Sequence, residues 1–245
     1  MRNVIMLLAL AAVLVVLTRL SDLAADWHYV VSAAPGQVLY TATFDDMLAD
    51  WEQYEGRLSA QVENSTLRIA VNAPDSLPFS AASPHFNDFD LRVLARPVAG
   101  PVDNGYGVLF RARDLLNYYL FLVSSDGYYQ VLRSVDGEQK EISTWIPSPL
   151  IKQGLNAENW LRVVARGNSF QFYINDEPVE LCIPDDPAGV STYVNECIGG
   201  QMLPVLVDNS IADGRIGVIA RTFDEPGVVV EFDNVLVVGP ASDDG

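Results

Sequence analysis

The sequence predicts an all-β sandwich or barrel that follows one N-terminal hydrophobic helix. Three observations predict it. After Pro35 the apolar period becomes two, as in Val38, Tyr40, Ala42 and Phe44. Turn signals then recur about every 8–12 residues. The composition suits many short strands and turns, with 17 Gly, 14 Pro, 10 Tyr, 10 Phe and 4 Trp among 245 residues. No helical stretches separate the strands, which argues against βαβ units, and no internal repeat argues for a propeller.

Charge excludes several functions. Fifteen Lys and Arg against 32 Asp and Glu leave −17. A nucleic-acid binder needs a basic footprint to release phosphate counterions, and a polybasic membrane-surface protein needs the same sign. With 49% apolar and 19% charged residues, the chain is also too apolar for disorder.

Residues 1–33 read as a targeting segment. Met1-Arg2-Asn3 precedes an unbroken apolar run from Val4 to Leu17, closed by Thr18 and Arg19. That run reaches about 21 Å as a helix, short of a ~30 Å hydrocarbon core and suited to a signal-peptide core. No small-x-small cleavage site follows promptly, and Val31-Ser32-Ala33 lies far downstream. The alternative is a retained transmembrane anchor. Leu20, Leu23, Ala24, Trp27 and Val31 then continue one apolar stripe as a helical stem, with Trp27 and Tyr29 as interfacial aromatics. Both readings export residues 34–245, and an acidic tail, 239–245, ends the chain.

The strands follow in order. Val38–Phe44 alternates and stops at Asp45-Asp46. Leu58–Val62 and Leu67–Val71 flank a hairpin turn at Glu63-Asn64-Ser65. Phe89–Arg96 ends at Pro97. Tyr106–Ala112, Tyr118–Ser124 and Tyr128–Val135 form a meander whose second turn, Asp126-Gly127, is a strong hairpin signal. Glu141–Trp145 comes next. Leu161–Ala165 and Phe170–Ile174 flank Arg166-Gly167-Asn168-Ser169. Arg215–Arg221 and Val228–Val238 close a domain over 34–238. Residues 180–209 do not alternate and read as an insertion loop.

That loop holds the two cysteines, Cys182 and Cys197. An exported chain with one pair forms a disulfide by default. Closing about 15 residues contributes ~3 kcal/mol in the chain-entropy model. Two histidines, His28 and His85, remote in sequence, do not complete a zinc site.

The central meander carries a family resemblance. Gly105-Tyr106-Gly107-Val108-Leu109-Phe110-Arg111-Ala112-Arg113, Asn117-Tyr118-Tyr119-Leu120-Phe121 and Ser124-Ser125-Asp126-Gly127-Tyr128-Tyr129 resemble the core of concanavalin A-like lectin/glucanase jelly rolls. Laminin-G-like and 3-keto-disaccharide-hydrolase-type domains are the most similar branch. The flanks agree, with Phe44-Asp45-Asp46 and Trp51 near the start and Phe232-Asp233-Asn234-Val235 near the end. The resemblance covers roughly 37–238. It implies a two-sheet antiparallel jelly roll, one sheet concave and often carbohydrate-binding. It also implies a structural Ca²⁺ clamping the first and last strands, where Asp45, Asp46 and Asp233 supply hard oxygen ligands. Turn and cap chemistry is the other reading of those acids.

Sugar binding needs aromatic faces and planar polar groups. Tyr106, Tyr119, Tyr129 and Trp145, with Arg111 and Arg133, are the candidate ligand-binding residues. Alternation sends about half of the meander's aromatics into the core, and the sequence does not say which half. Catalytic signals are weak. No strand alternates acidic residues, and Asp45-Asp46 and Asp185-Asp186 are adjacent pairs whose side chains diverge on a strand. No Gly-x-Ser-x-Gly elbow, phosphate loop, zinc-protease or EF-hand motif occurs. The expected function is a noncatalytic, membrane-tethered or secreted module for carbohydrate or envelope glycans. The alternatives are a structural or accessory extracytoplasmic subunit of a membrane complex, and a glycoside hydrolase.

Overall fold

The structure is a computed structural model and describes residues 13, 30–31, 34–45 and 50–241. The first strands are β1 (Val30–Val31), β2 (Val38–Ala42), β3 (Leu58–Glu63), β4 (Thr66–Val71), β5 (Phe79–Phe86) and β6 (Phe89–Ala99). The meander is β7 (Gly105–Ala112), β8 (Tyr118–Ser124), β9 (Tyr128–Val135) and β10 (Glu138–Pro147). Then come β11 (Asn159–Arg166), β12 (Ser169–Ile174), β13 (Glu177–Val179), β14 (Leu181–Pro184), β15 (Thr192–Tyr193), β16 (Cys197–Ile198), β17 (Gly200–Leu203) and β18 (Leu206–Val207). β19 (Gly214–Ala220) and β20 (Val228–Val238) close the domain.

Two sheets form the sandwich. The seven-stranded sheet runs β1-β5-β19-β7-β8-β9-β10. The nine-stranded sheet runs β13-β12-β11-β6-β20-β4-β3, with β18 beside β12 and β2 beside β20. Every pair is antiparallel except β1 with β5, where Val30 and Val31 lie against His85 and Phe86. Those two residues are strand, which corrects the end of the expected helical stem. The β-branched pair covers unpaired backbone groups at the β5 edge. The apolar run apart from Val13, its cleavage or retention, and most of the acidic tail fall outside the described residues. Among the described residues no helix is long and apolar enough to cross a membrane.

The core lies between the sheets. Tyr106, Val108 and Phe110 of β7 and Tyr119, Phe121 and Val123 of β8 face Leu91, Val93, Leu161, Val163, Phe170 and Phe172 of the other sheet. Phe110 stacks on Tyr119 with centroids 5.2 Å apart, and both rings meet Phe170. The domain's two ends are tied together. The Gly36 N–H donates to the Gly239 carbonyl and the Gly239 N–H to the Gln37 carbonyl, each at 2.8 Å.

Several predicted boundaries move, and strands form where none was expected, β5 the longest of them. β6 passes through Pro97, which sits opposite Val230 at a register shift where a missing N–H is tolerated. β5 is a full eight-residue strand although it holds Pro84 and a run of small residues. The expected loop 180–209 carries short strands: β14 pairs with β17 and β15 with β16. Cys182 and Cys197 are bonded across it.

Candidate functional site

The structure sends most of the expected ligand residues inward. Tyr106, Tyr119 and Tyr129 are buried on the core face of the seven-stranded sheet, which corrects their assignment to a ligand surface. Strict alternation with Gly107, Leu120 and Gln130 puts them there. Each hydroxyl is held inside. Tyr119 donates to Asp208 Oδ1 at 2.6 Å, Tyr129 donates to the Glu180 carbonyl, and Tyr106 accepts from Asn159 at 3.4 Å. Burial pushes the Tyr106 and Tyr129 phenols up, to about 12 in Tyr106.

Arg111 is also corrected. Its φ of +48° breaks the alternation, so Leu109 and Ala112 share the outer face while Arg111 turns into the structure. The guanidinium is 1% exposed and donates to the carbonyls of Ile211 (2.9 Å), Asn87 (2.8 Å) and Gly167 (2.6 Å). It lies 4.7 Å over the Phe170 ring. Burial lowers its pKa, and Asp88 partly offsets this. Arg111 is a clasp for three loops. Arg133 pairs with Asp208 and reaches Ser210 Oγ at 2.7 Å. Burial raises Asp208, but hydrogen bonds from Tyr119 and Ser210 hold its carboxyl below the ordinary carboxylate range.

Trp145 does lie on the outer face of the seven-stranded sheet. It packs on a second apolar cluster built from Ala81, Leu109, Tyr118, Leu120, Leu122 and Ile219. Its Cη2 lies 3.6 Å from where a Cβ on Gly105 would stand, so the ring of β10 reaches across to β7. That sheet face is therefore closed by its own side chains.

The nine-stranded sheet presents the open alternative. A cleft of about 440 Å³ lies on its outer face, lined by Thr41, Thr43, Arg92, Trp160, Leu161, Arg162, Asp176, Asn234, Val235 and Leu236. Register builds it. Thr41, Leu236, Arg92, Arg162 and Tyr173 stand opposite one another across β2, β20, β6, β11 and β12. Trp160 occupies the next outward position on β11 and is 37% exposed. Its backbone N–H donates 2.9 Å to Asn175 Oδ1, and the Asn175 backbone N–H returns 2.9 Å to the Trp160 carbonyl. Asn175 and Asp176 have φ of +51° and +68°, a two-residue hairpin turn that aims Asp176 at the cleft. Asn234, φ +51°, sits where β20 shifts register.

Charge in the cleft is balanced and partly committed. Arg162 donates to both oxygens of Asp90 and lies 4.5 Å over the Tyr173 ring. The Asp90 hydrogen bonds raise the Arg162 pKa further. Arg92 stands 3.6 Å from Asp90 and 3.8 Å from Asp176, beyond hydrogen-bond length, which leaves its donors for another acceptor. An exposed indole, a fork of donors, an exposed carboxylate, an amide and two hydroxyls converge on one apolar-floored cleft. That set can hold a neutral polyhydroxylated ring, its C–H face on the indole and its hydroxyls on the planar groups.

The expected calcium acids are partly placed. Asp46 lies outside the described residues. Asp45 accepts 2.8 Å from Thr43 Oγ1, and Asp233 accepts from the Asn234 N–H at 2.6 Å. Burial raises the Asp233 pKa, Asn234 opposes it and Asp45 adds to it, so the two acids meet electrostatically where β2 and β20 pair. Among the described residues no group of three His, Cys, Asp or Glu is placed to hold a metal.

The reading of the meander missed Trp160, Arg92, Arg162 and Asp176. The signal was present: Trp160 alternates with the inward Leu161, Val163 and Ala165.

Solved structures share the fold. The chain is similar to the carbohydrate binding module CBM66 from Bacillus subtilis, with a TM-score of 0.52 and 17% identity over 76% of this chain and 93% of that one. It is similar to a Bacillus subtilis protein of unknown function with a galectin-like fold, at 0.57 and 12% over 84% and 97%. A xylan β-1,4-xylosidase from Bacillus halodurans C-125 matches at 0.54 and 11% over 86% of this chain and 40% of that chain. No family model matches the chain, and no curated protein matches it. These likenesses are of fold, and they bear out the two-sheet jelly-roll β-sandwich.

Proposed function

We propose that the protein is a noncatalytic, extracytoplasmic carbohydrate-binding module, tethered through its N-terminal segment, and that the Trp160 cleft is its sugar site. One observation carries the reading: an exposed tryptophan shares a cleft with Arg92, Asp176 and Asn234 on an otherwise well-packed sandwich. The fold of the carbohydrate binding module and of the xylosidase supports it. The disulfide fits an oxidising compartment.

Charge balance favours a neutral glycan. Glycoside hydrolysis uses two carboxyl groups, one of them free to donate a proton. Asp90 is held by Arg162, which leaves Asp176 as the available carboxylate of the cleft. A structural Ca²⁺ between Asp45, Asp46 and Asp233 belongs to the same proposal. The test is a glycan array probed with the full-length protein in detergent. Binding of a neutral glycan, lost in Trp160→Ala, supports the site. Hydrolysis of a bound glycan, or binding that ignores Trp160, overturns it.

A further inference from the structure

The seven-stranded sheet ends in a pair of like charges. Tyr129 and Val131 of β9 face the core, and alternation sends Arg133 to the same side. Arg133 stands directly opposite Lys140 on β10, the edge strand. Both basic side chains are partly buried at the inner side of that edge. Like charges directly opposite each other across an antiparallel pair repel. The chain carries a net charge of −17, and Lys140 is one of two lysines, so the pairing does not come from an abundance of basic residues.

One acid stands beside the pair, and its oxygens are taken. Asp208 Oδ1 accepts from the Tyr119 hydroxyl at 2.6 Å and from the Ser210 N–H at 2.8 Å, while Oδ2 accepts from Arg133 Nη1. Nη1 also carries the bond to Ser210 Oγ. The Arg133 Nε is buried and has no acceptor. Among the described residues the Lys140 ammonium has no ion-pair partner. Glu138, two positions back on β10, is exposed and does not pair with it. A buried donor without an acceptor costs free energy of the order of a lost hydrogen bond.

A cavity of about 160 Å³ opens at this pair. Arg133, Lys140 and Asp208 line it, with walls from Ile183 and Pro184 of the disulfide-bonded insertion and from Leu206 and Val207 of β18. Apolar walls with a few convergent polar groups are the make-up of a small-ligand site. At ~30 Å³ per water the volume equals about five waters. A water would satisfy Nε but would leave the two cations opposed, whereas an anion answers both. A carboxylate has two coplanar acceptors, one for the free edge of the guanidinium and one for the ammonium. We propose that this cavity binds a small organic monocarboxylate with a compact, branched apolar body, its carboxylate between Arg133 and Lys140 and its carbons against the insertion and β18. The cavity shares no lining residue with the Trp160 cleft, and the inference does not rest on the sugar site.

The test titrates isobutyrate into the full-length protein in nonionic detergent at constant ionic strength. Saturation-transfer NMR on the ligand methyl groups reads the binding. Isobutyrate should give a saturable signal, and isobutyramide, which has the same shape and no charge, should give almost none. Lys140→Gln should weaken isobutyrate about tenfold or more. Its melting temperature should not fall, because the substitution removes the charge opposite Arg133. Lys152→Gln removes the other lysine, an exposed one, and should leave binding unchanged, which separates the site from net charge. Val207→Asp replaces a side chain that is 64% exposed and sets an acid at the cavity wall, so the protein should fold and the signal should vanish. Absence of a saturable isobutyrate signal overturns the proposal. So does equal binding of isobutyramide, complete displacement by equimolar inorganic phosphate, or binding indifferent to Lys140→Gln and Val207→Asp.

Discussion

Arg162 grips Asp90 through two parallel hydrogen bonds, 2.7 Å from Nε to Oδ1 and 2.6 Å from Nη2 to Oδ2. The pair bridges β11 and β6 beneath the Trp160 cleft, and Asp90 is buried. Breaking one half leaves the other desolvated charge unpaired. Asp90→Ala is therefore expected to lower stability by about 2–3 kcal/mol in chemical denaturation. It also frees Arg162 and Arg92 together, so the cleft should turn from neutral to anionic glycans on an array.

Trp160 and Trp145, both outward, should separate cleanly. Trp160→Ala removes an exposed ring, so its melting temperature should stay near wild type while glycan affinity falls about tenfold or more. Trp145→Ala uncovers the outer apolar cluster. It is expected to destabilise the sandwich by about 2–3 kcal/mol and to leave glycan affinity unchanged. Titration calorimetry and thermal melts on both variants decide the assignment.

Asp208 and Asp233 should respond to pH in opposite senses. The native Asp208 pKa is depressed, so its stabilisation is present above the unfolded carboxylate pKa and is lost as pH falls through the native one. Asp208→Asn should cost stability at neutral pH and cost less in acid. The native Asp233 pKa is raised, so the folded state favours its protonated form. Asp233→Asn should raise the melting temperature at neutral pH, and the gain should vanish in acid. Millimolar Ca²⁺ should raise the wild-type melting temperature by several degrees and the Asp233→Asn protein much less.

Reducing the Cys182–Cys197 bond frees a loop of 15 residues. The expected loss is ~3 kcal/mol in the chain-entropy model, read as a lower denaturation midpoint with reductant.

Much of this fold is legible in the sequence where alternation meets turn chemistry. Tyr118–Ser124, Tyr128–Val135 and Val228–Val238 match the structure end to end because apolar period and turns agree. β5 escapes because its residues are small. A Cβ at Gly217 would stand 2.4 Å from the Ser80 carbonyl oxygen, so the two strands come closest where Gly217 passes Ser80 and Ala81. The site was less legible. Period two gives two faces but not which faces the core, and the meander's aromatics were distributed by the other sheet. Arg111 is hidden differently: nothing in Phe110-Arg111-Ala112 signals a positive φ in a non-glycine residue.

The Gly36–Gly239 tie decides how the domain bears force. β2 and β20 are antiparallel and leave the sandwich at the same end. Tension applied between residues 36 and 239 acts on the rungs one after another, so β2 unzips from Gly36 inward instead of resisting in shear. Tension entering from one end alone leaves that ladder unloaded. A module pulled through only one of its ends keeps its jelly roll, whereas one strung between two anchors fails first at this seam.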